Sequence, residues 1–192
     1  TGFKGAGLWF AAYQALVGAP TEQTMGDVQR IFYYHVPSAL TAFLLFRINF
    51  ISSVVYLIRR SVKADTLALV SAEVGVVFCT VVLVTGPIWA RPVWGIWWTW
   101  DARLTSALVC WLLYAGYLML RRAIEEPTQR ATFAAVFSIF AFIDVPIVIF
   151  SIKWWRTQHP SPVFWGGGSM PRDWTAIWAW NVLVMMLIGF VF

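Results

Sequence analysis

The chain has 192 residues, 60% hydrophobic, 18% aromatic and only 12% charged, with mean hydropathy +0.70 and a formal net charge of +5. Soluble domains run at roughly 45–50% apolar and about 25% charged, so an ordinary soluble globule is excluded, as are disordered and fibrous chains. Apolar runs of about 20 residues recur, each long enough to cross a hydrocarbon core about 30 Å thick, and the short loops between them leave no room for a soluble domain.

In chain order, apolar segments are read at about 2–20, 37–58, 65–86, 104–120, 131–152 and 175–192. In lipid each must satisfy its own backbone polar groups, which leaves helix as the choice. The expected fold is therefore an all-α integral membrane protein: a single polytopic membrane domain over 1–192, built as a six-transmembrane-helix bundle with Trp-rich exterior loops. The first segment is the weakest of the six, because it carries Lys4 and ends at Ala19-Pro20. No short apolar core with a small-residue cleavage pattern opens the chain, so no cleavable signal peptide is read. The opening at Thr1 and the apolar end at Phe192 carry the expectation of further sequence at both ends.

With six crossings, loops 59–64 and 121–130 share one face and loops 21–36, 87–103 and 153–174 share the other. Lys4, Arg59, Arg60, Lys63, Arg121, Arg122 and Arg130 mark the first face as cytoplasmic, since basic residues flanking spans stay inside. The opposite face still holds Arg30, Arg91, Arg103, Lys153, Arg156 and Arg172. That exterior arginine excess calls for its own explanation. Basic charge distributed between apolar runs fixes orientation in a bilayer and does not point to nucleic acid. Cys79 and Cys110 fall inside apolar runs with no CxxC spacing and are read as packing residues.

The exterior face has an unusual composition. The segment 87–103 reads PIWARPVWGIWWTWDAR and contains Trp89, Trp94, Trp97, Trp98 and Trp100; the segment 153–174 adds Trp154, Trp155, Trp165 and Trp174. A belt of interfacial tryptophans would be shared between both interfaces, yet the two cytoplasmic loops have none. A flat apolar platform for a planar aromatic ligand accounts for the one-sidedness better. The two histidines of the chain, His35 and His159, fall in loops of this same face, each followed closely by proline. Imidazole is the commonest metal ligand and a standard axial ligand of haem iron. Two imidazoles and no exterior cysteine fit zinc poorly. Arg30, Arg91, Arg103, Arg156 and Arg172 are candidates for the two haem propionates, because the guanidinium fork matches a carboxylate. Asp101 opens the fourth span and is expected as its N-cap, free also to hold Arg103 or an indole N–H.

Within the spans, Arg47, Glu73 and Asp144 are ionisable and should face the bundle interior or a partner; Arg47 is expected to pair with Glu73 or Asp144. Asp144-Val145-Pro146 predicts a kink. Gly166-Gly167-Gly168 beside Trp165 reads either as a swinging segment or as a plain turn.

The block WGIWWTWDARLT (94–105) resembles the tryptophan-rich WWD signature of the haem-handling proteins of cytochrome c maturation. QRIFYYHVPSA (29–39) and the six-span length place the resemblance closest to the CcmC family within that superfamily, over nearly the whole chain. The resemblance implies a protein of the bacterial inner membrane that holds haem b at the periplasmic face on the WWD loop. His35 and His159 match the family's axial ligands. It also implies delivery to a periplasmic haem chaperone (CcmE), with a small membrane subunit (CcmD) and an ATP-binding cassette complex (CcmA and CcmB) as further partners. The implied role is binding and transfer without turnover of its own, with promotion of covalent haem attachment to the chaperone left open. The alternative is a transporter moving haem across the membrane. A membrane cytochrome would place paired histidines inside spans, and a purely structural subunit would use its tryptophans to grip a partner.

Overall fold

The computed structural model describes residues 2–160 and 170–191, with side chains from residue 6 onward. Among these the chain is helical, and the β structure consists of one isolated bridge between Glu22 and Gly26. Helix α1, Gly2–Tyr13, continues into a π-helical turn, Gln14–Gly18. A 3-10 turn, Asp27–Ile31, leads into α2, Phe32–Arg59. Then follow α3 (Val62–Trp94), α4 (Ala102–Ala123), α5 (Pro127–Phe142), α6 (Asp144–Trp154) and α7 (Arg172–Val191). Five helical segments are long and apolar enough to cross a membrane: Asp27–Arg59, Val62–Trp94, Ala102–Ala123, Pro127–Trp154 and Arg172–Val191. The shorter α1 is not among them.

Two boundaries differ from the sequence expectation. The segment 87–94, read as loop, is the last two turns of α3, and His35, read as preceding its span, sits in the first turn of α2. Both extensions make the helices longer than a hydrocarbon core requires. At 1.5 Å per residue the 33 residues of α3 reach about 50 Å, against a core of about 30 Å. Pro87 and Pro92 lie inside α3 but each removes only one backbone donor, and flanking helix keeps the remaining groups paired. The helix stops at Trp94 because Gly95 takes φ +78°, and its N–H bonds the Arg91 carbonyl at 3.0 Å. That is a left-handed cap, which glycine adopts without strain.

The kink expected at Asp144-Val145-Pro146 is present as the break between α5 and α6. Pro146 has no N–H for the Phe142 carbonyl four residues back, and its ring crowds that oxygen.

The chain forms two compact units: Thr1–Thr41 with Val81–Thr99 and Pro160–Phe192, and Ala42–Thr80 with Trp100–His159. In the first, Ala15, Ala19 and Tyr33 are buried against Phe32, Ile177 and Trp178, and Phe10 meets Trp180 edge-on at 5.7 Å. In the second, α4 packs on α5 and α6. Phe46 of α2 stacks on Tyr114 of α4, centroids 3.7 Å apart. Gly75 of α3 admits that ring: a Cβ there would lie 2.6 Å from Phe46 Cε1. Asn49 Nδ2 donates to the Ala68 carbonyl at 2.7 Å and Asn49 Oδ1 accepts from Ser138 Oγ at 2.5 Å.

The buried face of α4 is polar: Ser106, Cys110, Tyr114, Tyr117 and Arg121 recur at helical spacing. Arg121, 8% exposed, makes a two-pronged ion pair with Asp65 of α3 at 2.6 and 2.8 Å and donates to the Tyr117 hydroxyl at 3.3 Å. Such groups supply directional contacts where lipid offers no hydrophobic drive between helices.

Helix α5 begins on a charged cap outside the span. Glu126 accepts from the backbone N–H of Thr128 at 2.8 Å and of Gln129 at 2.5 Å. These bonds hold its carboxyl below the usual carboxylate range, with Arg130 adding in the same direction. A lowered folded pKa means the cap stabilises fully above the ordinary carboxylate value and fades as pH falls through the folded one. The first-turn amides of α5 are therefore expected to lose hydrogen-exchange protection as pH falls below the usual carboxylate range. In Glu126→Gln that pH dependence should vanish; its persistence would refute the assignment.

Candidate functional site

In the first unit the site residues ride on the ends of α2 and α3. His35 is half-buried, and its Nδ1 lies 2.9 Å from Thr85 Oγ1. The Thr85 hydroxyl already donates to the Val81 carbonyl at 2.7 Å, one turn back in its own helix. Its oxygen is thus left to accept, so His35 Nδ1 is the donor, and in the neutral ring the lone pair is then on Nε2. Gly86 follows, and a Cβ there would meet His35 Cε1 at 3.5 Å, so the α3 backbone forms a close seat for the imidazole. A neutral imidazole fixed at Nδ1 by an outer hydrogen bond is the usual state of a metal-ligating histidine.

Beyond Thr85 the same helix carries Trp89 and Trp94, which meet edge-on at 5.2 Å. The segment after α3 presents Trp97, 58% exposed, with Trp98 half-buried beside it. Arg91 is exposed and donates to the Gly95 carbonyl, bracing the turn that launches these indoles. Arg30 is committed to its own neighbourhood: Nε pairs with Asp27 at 3.0 Å, one NH2 group donates to Thr21 Oγ1 at 3.2 Å, and the other to the Leu16 carbonyl. It ties the π-turn to the 3-10 turn, a use the sequence did not reveal.

In the second unit, Trp100 is 75% exposed and Asp101 follows as the N-cap of α4. Asp101 Oδ1 accepts from Leu104 N at 2.9 Å, the expected cap, and Oδ2 accepts from Gln158 N at 3.0 Å. One carboxylate thus ends the WWD segment and holds the residue preceding His159. Arg103 donates to the Val148 carbonyl of α6 and is directed into the bundle. Arg156 is exposed, as are Trp154 and Trp155, which meet edge-on at 5.7 Å. Asp101→Ala is expected to cost about 1 kcal/mol through the lost cap alone. It should also raise hydrogen exchange at Gln158; an unchanged Gln158 amide would show that the strut is not formed.

In the first unit the structure brings His35 together with Thr85 and Gly86 and Trp89 with Trp94; in the second it brings Asp101 together with the His159 segment. Thr85 and Gln158 were missed in the sequence because single polar residues in VLVTGPIWA and RTQHPSP carry no spacing signal. Trp165 and Gly166-Gly167-Gly168 lie outside the described residues. Cys79 and Cys110 are buried free thiols, as read from the sequence. The expected pairing of Arg47 with Glu73 or Asp144 is not formed: among the described residues the ion pairs are Arg30–Asp27 and Arg121–Asp65. Asp144 is half-buried at the start of α6, while Arg47 and Glu73 are exposed on the helix surfaces.

Curated relatives match most of the chain. It is 39% identical over 158 residues to heme exporter protein C of Bradyrhizobium diazoefficiens, covering 82% of this chain and 60% of that protein. It is 37% identical to heme exporter protein C of Haemophilus influenzae (75% of this chain, 58% of that protein) and 34% to that of Escherichia coli K12 (73% and 58%). The chain thus spans about three fifths of the length of these relatives. The family model described as CcmC, heme exporter protein C, matches residues 3–192. With a two-residue shortfall at one end of that match and none at the other, the chain belongs to the CcmC, heme exporter protein C, family.

Proposed function

We propose that the protein binds haem at the periplasmic face of the bacterial inner membrane and delivers it to a periplasmic haem chaperone of the CcmE type for cytochrome c biogenesis. His35 and His159 serve as the axial ligands, and Trp89, Trp94, Trp97, Trp98 and Trp100 supply the apolar surface for the porphyrin. The observation that carries this reading is the Thr85 hydroxyl on His35 Nδ1, which selects the tautomer able to ligate through Nε2. The WWD block and the names of the relatives agree with it.

Topology supports one exterior face for both ligands. Five crossings in alternation would put the start of α2, residues 95–101 and residues 155–160 on one side, with the α2–α3 and α4–α5 turns on the other. That grouping holds whether or not α1 makes the sixth crossing, which we include in the proposal. Basic residues Arg59, Arg60, Lys63, Arg122 and Arg130 around the two turns assign the latter side to the cytoplasm.

The haem is cargo, and its iron is what the imidazoles bind. Exposed Trp97 and Trp100 bury porphyrin area while leaving an edge open for hand-over. Arg91 and Arg156, both exposed, are the arginines best placed to receive propionates. Arg30 and Arg103 serve by shaping the segments on either side. A small membrane subunit (CcmD) and the ABC pair CcmA/CcmB complete the assembly. Haem b titrated into the purified full chain in lipid nanodiscs should give a Soret change saturating at one haem per chain. Non-saturating partition, equal to that of empty nanodiscs, would overturn the reading.

A further inference from the structure

Helix α3, long and apolar enough to cross a bilayer, carries an ionisable side chain on its outside. Glu73 is 11 residues past Val62, so it lies about 17 Å along the helix axis, near the middle of a core about 30 Å thick. It is exposed, and it is in neither of the ion pairs formed among the described residues. An acidic side chain at that depth is costly in lipid, and such groups face a partner or a bundle interior. Glu73 does not face the interior: Gly75, two residues on, is the position that meets α2 through Phe46, and two residues turn a helix by about 200°.

The surface around Glu73 is built for close approach. Thr66, Val70, Glu73, Val77 and Thr80 follow one another at intervals of four and three, and all but half-buried Val70 are exposed. Short β-branched and hydroxyl side chains on such a stripe suit helix-on-helix packing in lipid, where bulky chains suit lipid contact. At one end Trp111 of α4 donates its indole N–H to Thr80 Oγ1 at 2.8 Å and forms a wall. At the other, Val62, Lys63, Thr66, Leu67 and Val70 line a shallow depression.

We propose that this stripe of α3 is the docking face for a single transmembrane helix of a partner subunit carrying a lysine or arginine at mid-depth, which pairs with Glu73. The choice of occupant rests on charge: a lone acidic group in hydrocarbon is offset by a basic one, and the nearest-depth basic group of this chain, Arg47 on α2, is not bonded to it. The inference stands apart from the haem reading and does not depend on it.

The probe is a synthetic transmembrane helix of leucine and alanine with one central lysine, labelled for energy transfer to the full chain in phosphatidylcholine nanodiscs. The wild type should bind it about tenfold more tightly than the same helix with a central leucine. Glu73→Gln should erase the difference, Glu73→Lys should transfer the preference to a helix with a central glutamate, and Val77→Phe should weaken binding with the charge intact. Equal binding of the lysine and leucine helices by the wild type, or a preference that survives Glu73→Gln, would overturn the proposal. So would pairing of two copies of this chain that is lost in both Glu73→Gln and Arg47→Gln, which would give the face to a second copy.

Discussion

Replacing His35 by alanine is expected to weaken haem retention by more than the ten- to hundredfold that loss of an outer hydrogen-bond partner alone typically costs a metal site. The membrane fold should survive, because His35 is half-buried at a helix end and its bonded neighbour Thr85 keeps its own bond to Val81. His159→Ala should act in the same direction. Thr85→Val should fall between wild type and His35→Ala, since it removes the acceptor that fixes the imidazole but leaves the ligand. Thr85→Ser should retain most binding, because a hydroxyl is restored. Haem per chain after size-exclusion, together with the Soret band, measures all four. Unchanged haem content in His35→Ala would remove the histidine from the site. Equal loss in Thr85→Val and Thr85→Ser would remove the tautomer argument.

The largest stability effect is expected away from the haem face. Asp65→Ala leaves the Arg121 guanidinium buried without its carboxylate, a change that costs about 3–5 kcal/mol when one partner of a buried pair is lost. The Tyr117 hydroxyl, 3.3 Å from Arg121, is too weak an acceptor to compensate. Replacing both partners, Asp65→Leu with Arg121→Met, should return stability to near the wild-type value, because no buried charge remains. Thermal unfolding in a single detergent checks this. A single variant that melts with the wild type would show the pair to be solvated.

These two sites differ in how far the sequence disclosed them. The fold class follows from composition, since 60% apolar residues in long runs leave lipid as the solvent, and five helical segments are long and apolar enough to span it. His35, Asp101 and the tryptophans stand out because rare residue types cluster in the three loops of one face. The N-cap role of Asp101 was legible, as a carboxylate just ahead of an apolar run, and its hold on Gln158 was not, because that contact joins residues 57 apart. Arg121 illustrates the opposite failure. It reads as a loop charge beside Arg122 and counts toward orientation, yet its side chain is buried against Asp65. Local sequence gives a charge's address, and tertiary packing decides whether it votes with the loop or locks two helices. Arg30, a candidate for the propionates by its place in the sequence, also bonds Asp27, Thr21 and Leu16, which local sequence does not disclose. The ends of α2 and α3 were set too short because hydropathy marks the hydrocarbon, while helix continues past it as long as backbone groups can pair.

The central claim is that two imidazoles of this chain hold one haem iron. Its most direct test is the low-temperature electron paramagnetic resonance spectrum of the ferric, haem-loaded full chain in nanodiscs. The account predicts a low-spin bis-imidazole signal in the wild type, converted to high-spin in His35→Ala and equally in His159→Ala. A low-spin spectrum that persists unchanged in the variant lacking both histidines would contradict it.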